Sequence, residues 1–88
     1  MEAIRRILVA DSNEDYRKNF VEAISIEGDI YIAGETGVGH RLVELARVLE
    51  PDLIVMDMIL AGMDGMEGME EINALGLARQ PQIWIVSS

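Results

Sequence analysis

The chain has 88 residues, with 16 acidic side chains against 7 basic ones and a net charge of −9, which argues against a surface for nucleic acid or anionic membrane within it. Half of its residues are hydrophobic, enough for one small globular domain, though a domain this short buries only about 60 to 70% of its unfolded surface. It has no cysteine, which removes disulfides and thiolate zinc sites, and it shows no charged-then-apolar leader or long apolar span. A cytoplasmic protein whose partners are basic proteins or cations is the expectation.

Four short apolar runs, at 6 to 10, 30 to 33, 53 to 57 and 83 to 86, are rich in Ile and Val and bounded by polar or turn residues, as buried parallel strands should be. After the first, Tyr16, Phe20, Ala23 and Ile24 recur at helical spacing behind a cap at Ser12 or Asn13, with Gly28 as the stop. After the second, Leu42, Leu45, Ala46 and Leu49 make a helix closed by Pro51. After the third, Met66, Met69, Ile72 and Leu75 make another, capped by Asp64 and ended near Gly76. The order β-α-β-α-β-α-β predicts an α/β fold: a mostly parallel sheet, wound by right-handed crossovers, with helices on both faces. After its last apolar strand the chain reads Ser87-Ser88 and offers no further helix.

Two of these strands run out into carboxylates. Leu53-Ile-Val-Met56 leads to Asp57, and Ile7-Leu-Val-Ala10 leads to Asp11-Ser12. Open α/β sheets bind ligands at such strand ends, and clustered carboxylates there make a candidate site for a divalent metal and a phosphoryl group. An aspartate can also act as nucleophile and hold an acyl phosphate. The bland alternatives are a turn-capping role for Asp57 and a helix cap for Asp11.

Other features weigh less. Gly34-Glu-Thr-Gly37-Val-Gly39-His40-Arg41 reads like a phosphate loop, and Asp57 could then serve a nucleotide-bound magnesium. A phosphate loop needs Lys and Ser or Thr where this chain has His40 and Arg41, so nucleotide binding through Gly34 to Gly39 is a remote reading. His40 is the single histidine and stands at a helix start, without a second ligand to form a metal site. Met56, Met58, Met63, Met66 and Met69 are expected to fill the core rather than bind a soft metal.

The segments Ile7-Leu-Val-Ala-Asp11-Ser-Asn13, Pro51-Asp-Leu-Ile-Val-Met-Asp57, the turn to Asp64-Gly65, and Ile83-Trp-Ile-Val-Ser87-Ser88 together resemble the receiver domain of two-component response regulators. The likeness runs along nearly the whole chain, read as one domain over 1–88. It implies a flavodoxin-like doubly wound sheet of order 2-1-3-4-5, in which Asp11 and Asp57 meet across the switch point. By the same resemblance Asp57 accepts phosphate from a histidine kinase or phosphotransfer protein. Asp11, Asp57 and the backbone carbonyl of Ile59 would then bind Mg2+, and Ser87 would supply the switch hydroxyl.

The sequence departs from the family pattern at several places. The second acidic residue of the first strand is Ser12, which should weaken Mg2+ binding. The usual Pro of the turn is Ala61, which should loosen that loop. The family's fourth helix, fifth strand, fifth helix and phosphate-contacting lysine have no counterpart, and Lys18 is the single lysine. A signalling module rather than a turnover enzyme is expected, acting as a phosphoacceptor with an output domain or partner protein. The alternative is a catalytically impaired interaction or dimerisation module. An uncovered last strand would favour a homo-oligomer.

Overall fold

A computed structural model describes residues 4–86. Strand β1 (Arg5–Ala10) is central: it pairs in parallel with β2 (Ile30–Thr36) on one side and with β3 (Leu53–Asp57) on the other. The last strand, Gln82–Val86, pairs in parallel with β3. Between them lie two further short strands, β4 (Ile59–Leu60) and β5 (Met63–Asp64), which form an antiparallel pair outside the main sheet, so Gln82–Val86 is β6. The sheet order β2-β1-β3-β6 is the expected 2-1-3-4 winding.

Both faces of the central strands are apolar because both are covered. On one face Leu8, Ala10, Ile54 and Met56 pack with Leu42 and Ala46 of α2 (Gly39–Leu49) and Ile72 of α3 (Gly65–Ala74). On the other, Ile7, Val9, Leu53 and Val55 meet Phe20, Val21 and Ile24 of α1 (Glu14–Ile24). Leu8, Leu42, Ile54 and Ile72 are fully buried, and truncating any of them to Ala should cost about 2 to 5 kcal/mol.

The caps follow from side-chain chemistry. Asn13 starts α1 by accepting from the Tyr16 amide at 2.9 Å, and Asp64 starts α3 by accepting from the Glu67 amide at 2.8 Å. Each such cap contributes about 1 kcal/mol. At the far end of α2, Glu50 sits in the left-handed region (φ 45°), and Pro51 prevents the helix from continuing.

Several expectations need correction. Strand β2 runs on to Thr36 rather than ending at 33, because Leu8, Val9 and Ala10 pair with Gly34, Glu35 and Thr36 beyond a register shift. Helix α1 ends at Ile24, before Gly28, with the Ser25 hydroxyl donating to the Val21 carbonyl at 2.6 Å. No α1 residue is fully buried, and Tyr16 and Ala23 face solvent, so the packing face is Phe20, Val21 and Ile24. Of the methionines, Met56 and Met63 are core residues, whereas Met58 and Met66 are exposed at 40% and 48%.

Candidate functional site

Ala10 is the parallel partner of Met56, so Asp11 and Asp57, one residue further on, leave the sheet side by side at the same edge. Asp11 is 6% exposed and is held by its backbone: its amide donates to the Thr36 carbonyl at 3.0 Å. Its Oδ1 accepts the Asn13 amide at 2.8 Å, which shapes the turn into α1. Asp57 is half-buried, and its Oδ1 accepts the Met58 amide at 2.8 Å. Among the described residues neither carboxylate has an ion-pair partner, and each keeps an Oδ2 free of hydrogen bonds.

Ile59 stands just past Asp57 in β4, with its side chain exposed, and its carbonyl accepts the Ser12 hydroxyl at 3.4 Å. That contact brings the end of the first strand to the loop after the third. The described residues contain no group of three or more Asp, Glu or His placed to hold a metal. Two carboxylates and one carbonyl are nevertheless a donor set that suits Mg2+, an ion that keeps several of its waters. Ser12 adds a neutral oxygen where a charge would bind more strongly, and its hydroxyl donates to that carbonyl. Asp64 is committed elsewhere, as the cap of α3. Ser87 lies outside the described residues; Val86 before it is paired with Asp57. Lys18 is exposed on α1.

The glycine-rich segment has a structural purpose. Gly34 lies within β2 against Leu8 and Leu49, so it is not part of a loop. The Thr36 to Gly39 turn docks the loop after β3: Ala61 donates to the Gly37 carbonyl at 3.2 Å, and Gly39 donates to the Ala61 carbonyl at 3.0 Å. A Cβ on Gly39 would collide with Met63. The Gly39 amide is thus already bound, which leaves this turn poorly suited to cradling phosphates, and His40 is exposed at the start of α2. Nor is the loop loosened by Ala61. A proline there has no N–H, so alanine permits the bond to Gly37 that ties the loop down. Sequence reasoning also missed Arg17, whose guanidinium donates to the Asp11 carbonyl at 2.6 Å.

The profile of the response regulator receiver domain matches residues 7–88. This chain belongs to the receiver domain family. Among relatives of this receiver, the nitrate/nitrite response regulator protein NarL of Escherichia coli is 33% identical over 82 residues, 93% of this chain and 38% of NarL. The transcriptional regulatory protein LiaR of Bacillus subtilis is 37% identical over 67 residues, 76% of this chain and 32% of LiaR. The chain therefore spans about a third of the length of these curated relatives. The solved signal receiver domain of the putative response regulator NarL from Mycobacterium tuberculosis superimposes with a TM-score of 0.90 at 26% identity, covering 98% of this chain and 68% of that one. The response regulator domain of Thermotoga maritima CheB gives 0.89 at 28% identity, covering 97% and 61%. The flavodoxin-like fold expected of a receiver is thus the fold observed. No helix among the described residues is long and apolar enough to cross a membrane.

Proposed function

We propose that residues 1–88 are a single cytoplasmic phosphoacceptor module in which Asp57 takes a phosphoryl group from a histidine kinase or phosphotransfer protein. The observation that carries this reading is the pair of carboxylates, Asp11 and Asp57, at the carboxyl edge of adjacent strands, neither with an ion-pair partner among the described residues. A free oxygen of Asp57 attacks phosphorus, the bond from phosphorus to the donor's imidazole nitrogen breaks, the donor keeps that electron pair and takes up a proton, and an aspartyl phosphate remains. Bound Mg2+ would offset the charge gathered at phosphorus. Asp11, Asp57 and the Ile59 carbonyl are its proposed ligands, with Ser12 at the substituted position and Ser87 as the proposed switch hydroxyl. The module is a signalling element, not a turnover enzyme, and passes its state to an output domain or partner protein.

Incubation with Mg2+ and acetyl phosphate should add the mass of one phosphoryl group to the wild-type chain and none to Asp57→Asn. No added mass in the wild type, or mass retained in the variant, refutes the assignment.

A second reading, an interaction module that has lost phosphoryl chemistry, draws on the Ser12 hydroxyl bonded to the Ile59 carbonyl. It predicts no response to millimolar Mg2+ in the amide spectrum. Where no strand follows β6 in the protein, we also propose self-association through it. In the described structure β6 is the outer strand of the sheet, and its Trp84 is 53% exposed. Light scattering at tens of micromolar should give at least a dimer; a monomer would contradict it.

A further inference from the structure

Arg6 and Arg17 perform the same chemistry at opposite edges of the sheet. Arg6 Nη1 donates to the carbonyls of Leu49 and Glu50, at 2.6 and 3.2 Å, and so closes the end of α2. Arg17 Nη1 donates to the carbonyl of Asp11 at 2.6 Å, while its Nε donates to Glu35 Oε1 at 3.1 Å. The side chain of Arg17 is 17% exposed. The difference lies in what each carbonyl belongs to: a helix end in one case, the residue that bears a strand-end carboxylate in the other.

We propose that Arg17 is a positioning residue for the acidic edge, fixing the main chain of Asp11 so that its carboxylate stays beside that of Asp57; this rests on reading that edge as the phosphoacceptor site. The backbone of Asp11 is gripped from both sides, its amide by the Thr36 carbonyl and its own carbonyl by Arg17. Gly37 fits against this junction: a Cβ there would stand 3.0 Å from Arg17 Nη1 and 3.2 Å from the Asp11 oxygen. A side chain at 37 would therefore press on the contact that holds Asp11. Glu35 aims the guanidinium and takes up its charge, so Arg17 acts on the carboxylates through geometry rather than as their counter-ion. The planar fork of arginine serves two acceptors at once, whereas lysine, a point charge on a flexible stem, orients neither as firmly.

The test compares wild type, Arg17→Met, Arg17→Lys and, as control, Arg6→Met, each as the full chain. Thermal unfolding, Mg2+ affinity from amide chemical shifts, and hydrogen exchange of the Asn13 amide are measured on each. Both Met variants should lower the unfolding midpoint, since each frees a carbonyl bonded by a charged donor. Arg17→Met should also weaken Mg2+ binding about tenfold and speed Asn13 exchange about tenfold, as expected for loss of one charge-assisted hydrogen bond, with Arg17→Lys in between. Arg6→Met should change neither by more than about twofold. Equal Mg2+ affinity and equal Asn13 exchange in the two Met variants would overturn the proposal. If the wild type binds no Mg2+, the phosphoacceptor reading falls, and Asn13 exchange alone then decides the role of Arg17: faster than in Arg6→Met upholds it, equal overturns it. Should Arg17→Met not fold, Glu35→Gln replaces it, with exchange about threefold faster expected from loss of one exposed ion pair and unchanged exchange counting against the proposal.

Discussion

Asp52 precedes β3 and Asp57 ends it, yet the two aspartates are used in opposite ways. Asp52 is closed on all sides: its Oδ2 accepts the Arg6 amide at 2.8 Å, its amide donates to the Arg6 carbonyl at 2.9 Å, its carbonyl accepts the Gln82 amide at 3.0 Å, and its Oδ1 meets Arg79 at 3.1 Å. This ties β1, β3 and β6 together at the amino edge of the sheet. The carboxylate of Asp57 accepts only from the next amide, and beside it the carboxylate of Asp11 accepts only from the amide of Asn13 in its own turn. A side chain whose bonds are all made stabilises a fold. One whose bonds are withheld can meet a ligand, and like charges left side by side favour a cation at that edge.

The contrast can be broken at several points. Asp52→Asn should destabilise the chain by about 2 kcal/mol in urea denaturation, most of it because the Arg6 amide loses a charged acceptor and the rest from the exposed Arg79 pair. Gly39→Ala should cost about 1 to 3 kcal/mol by forcing Met63 aside, and it should speed exchange of the Ala61 amide as the docked loop loosens. Ser12→Asp sharpens the comparison from the other side. It supplies the missing carboxylate and should tighten Mg2+ about tenfold in a shift titration, with a stability loss under about 1 kcal/mol without metal. Smallest of all, Trp84→Lys should move stability by less than about 0.5 kcal/mol while shifting any dimer toward monomer in light scattering.

Much of this was legible in the sequence for identifiable reasons. The doubly apolar runs of β1 and β3 can be buried in no other common way, and a carboxylate directly after each marks the edge where they end. Asp64 was readable as a cap because its spacing to α3 is local. What was not legible depends on contacts that no repeat spacing in the sequence marks. The bond from Arg17 to Asp11 spans α1 and the turn before it, and the docking of Ala61 on Gly37 joins segments that only the folded sheet brings together. Ala61 looked like a missing proline because a sequence shows the lost ring and not the gained N–H. The exposure of Met66 was hidden for a similar reason, since helical spacing does not say which turn the neighbouring helix covers, while Met58 stands in the bend after β3, where no helical spacing applies.

The most direct measurement compares phosphoryl uptake in Asp52→Asn and Asp57→Asn, with Mg2+ and acetyl phosphate, at a temperature where both are folded. Asp52→Asn should take up phosphate at a rate within about threefold of wild type, despite its lower stability, and Asp57→Asn should take up none at unchanged stability. Uptake that survives Asp57→Asn, or that is lost with Asp52→Asn while the fold persists, would contradict the division of the sheet into a closed edge and a reactive one.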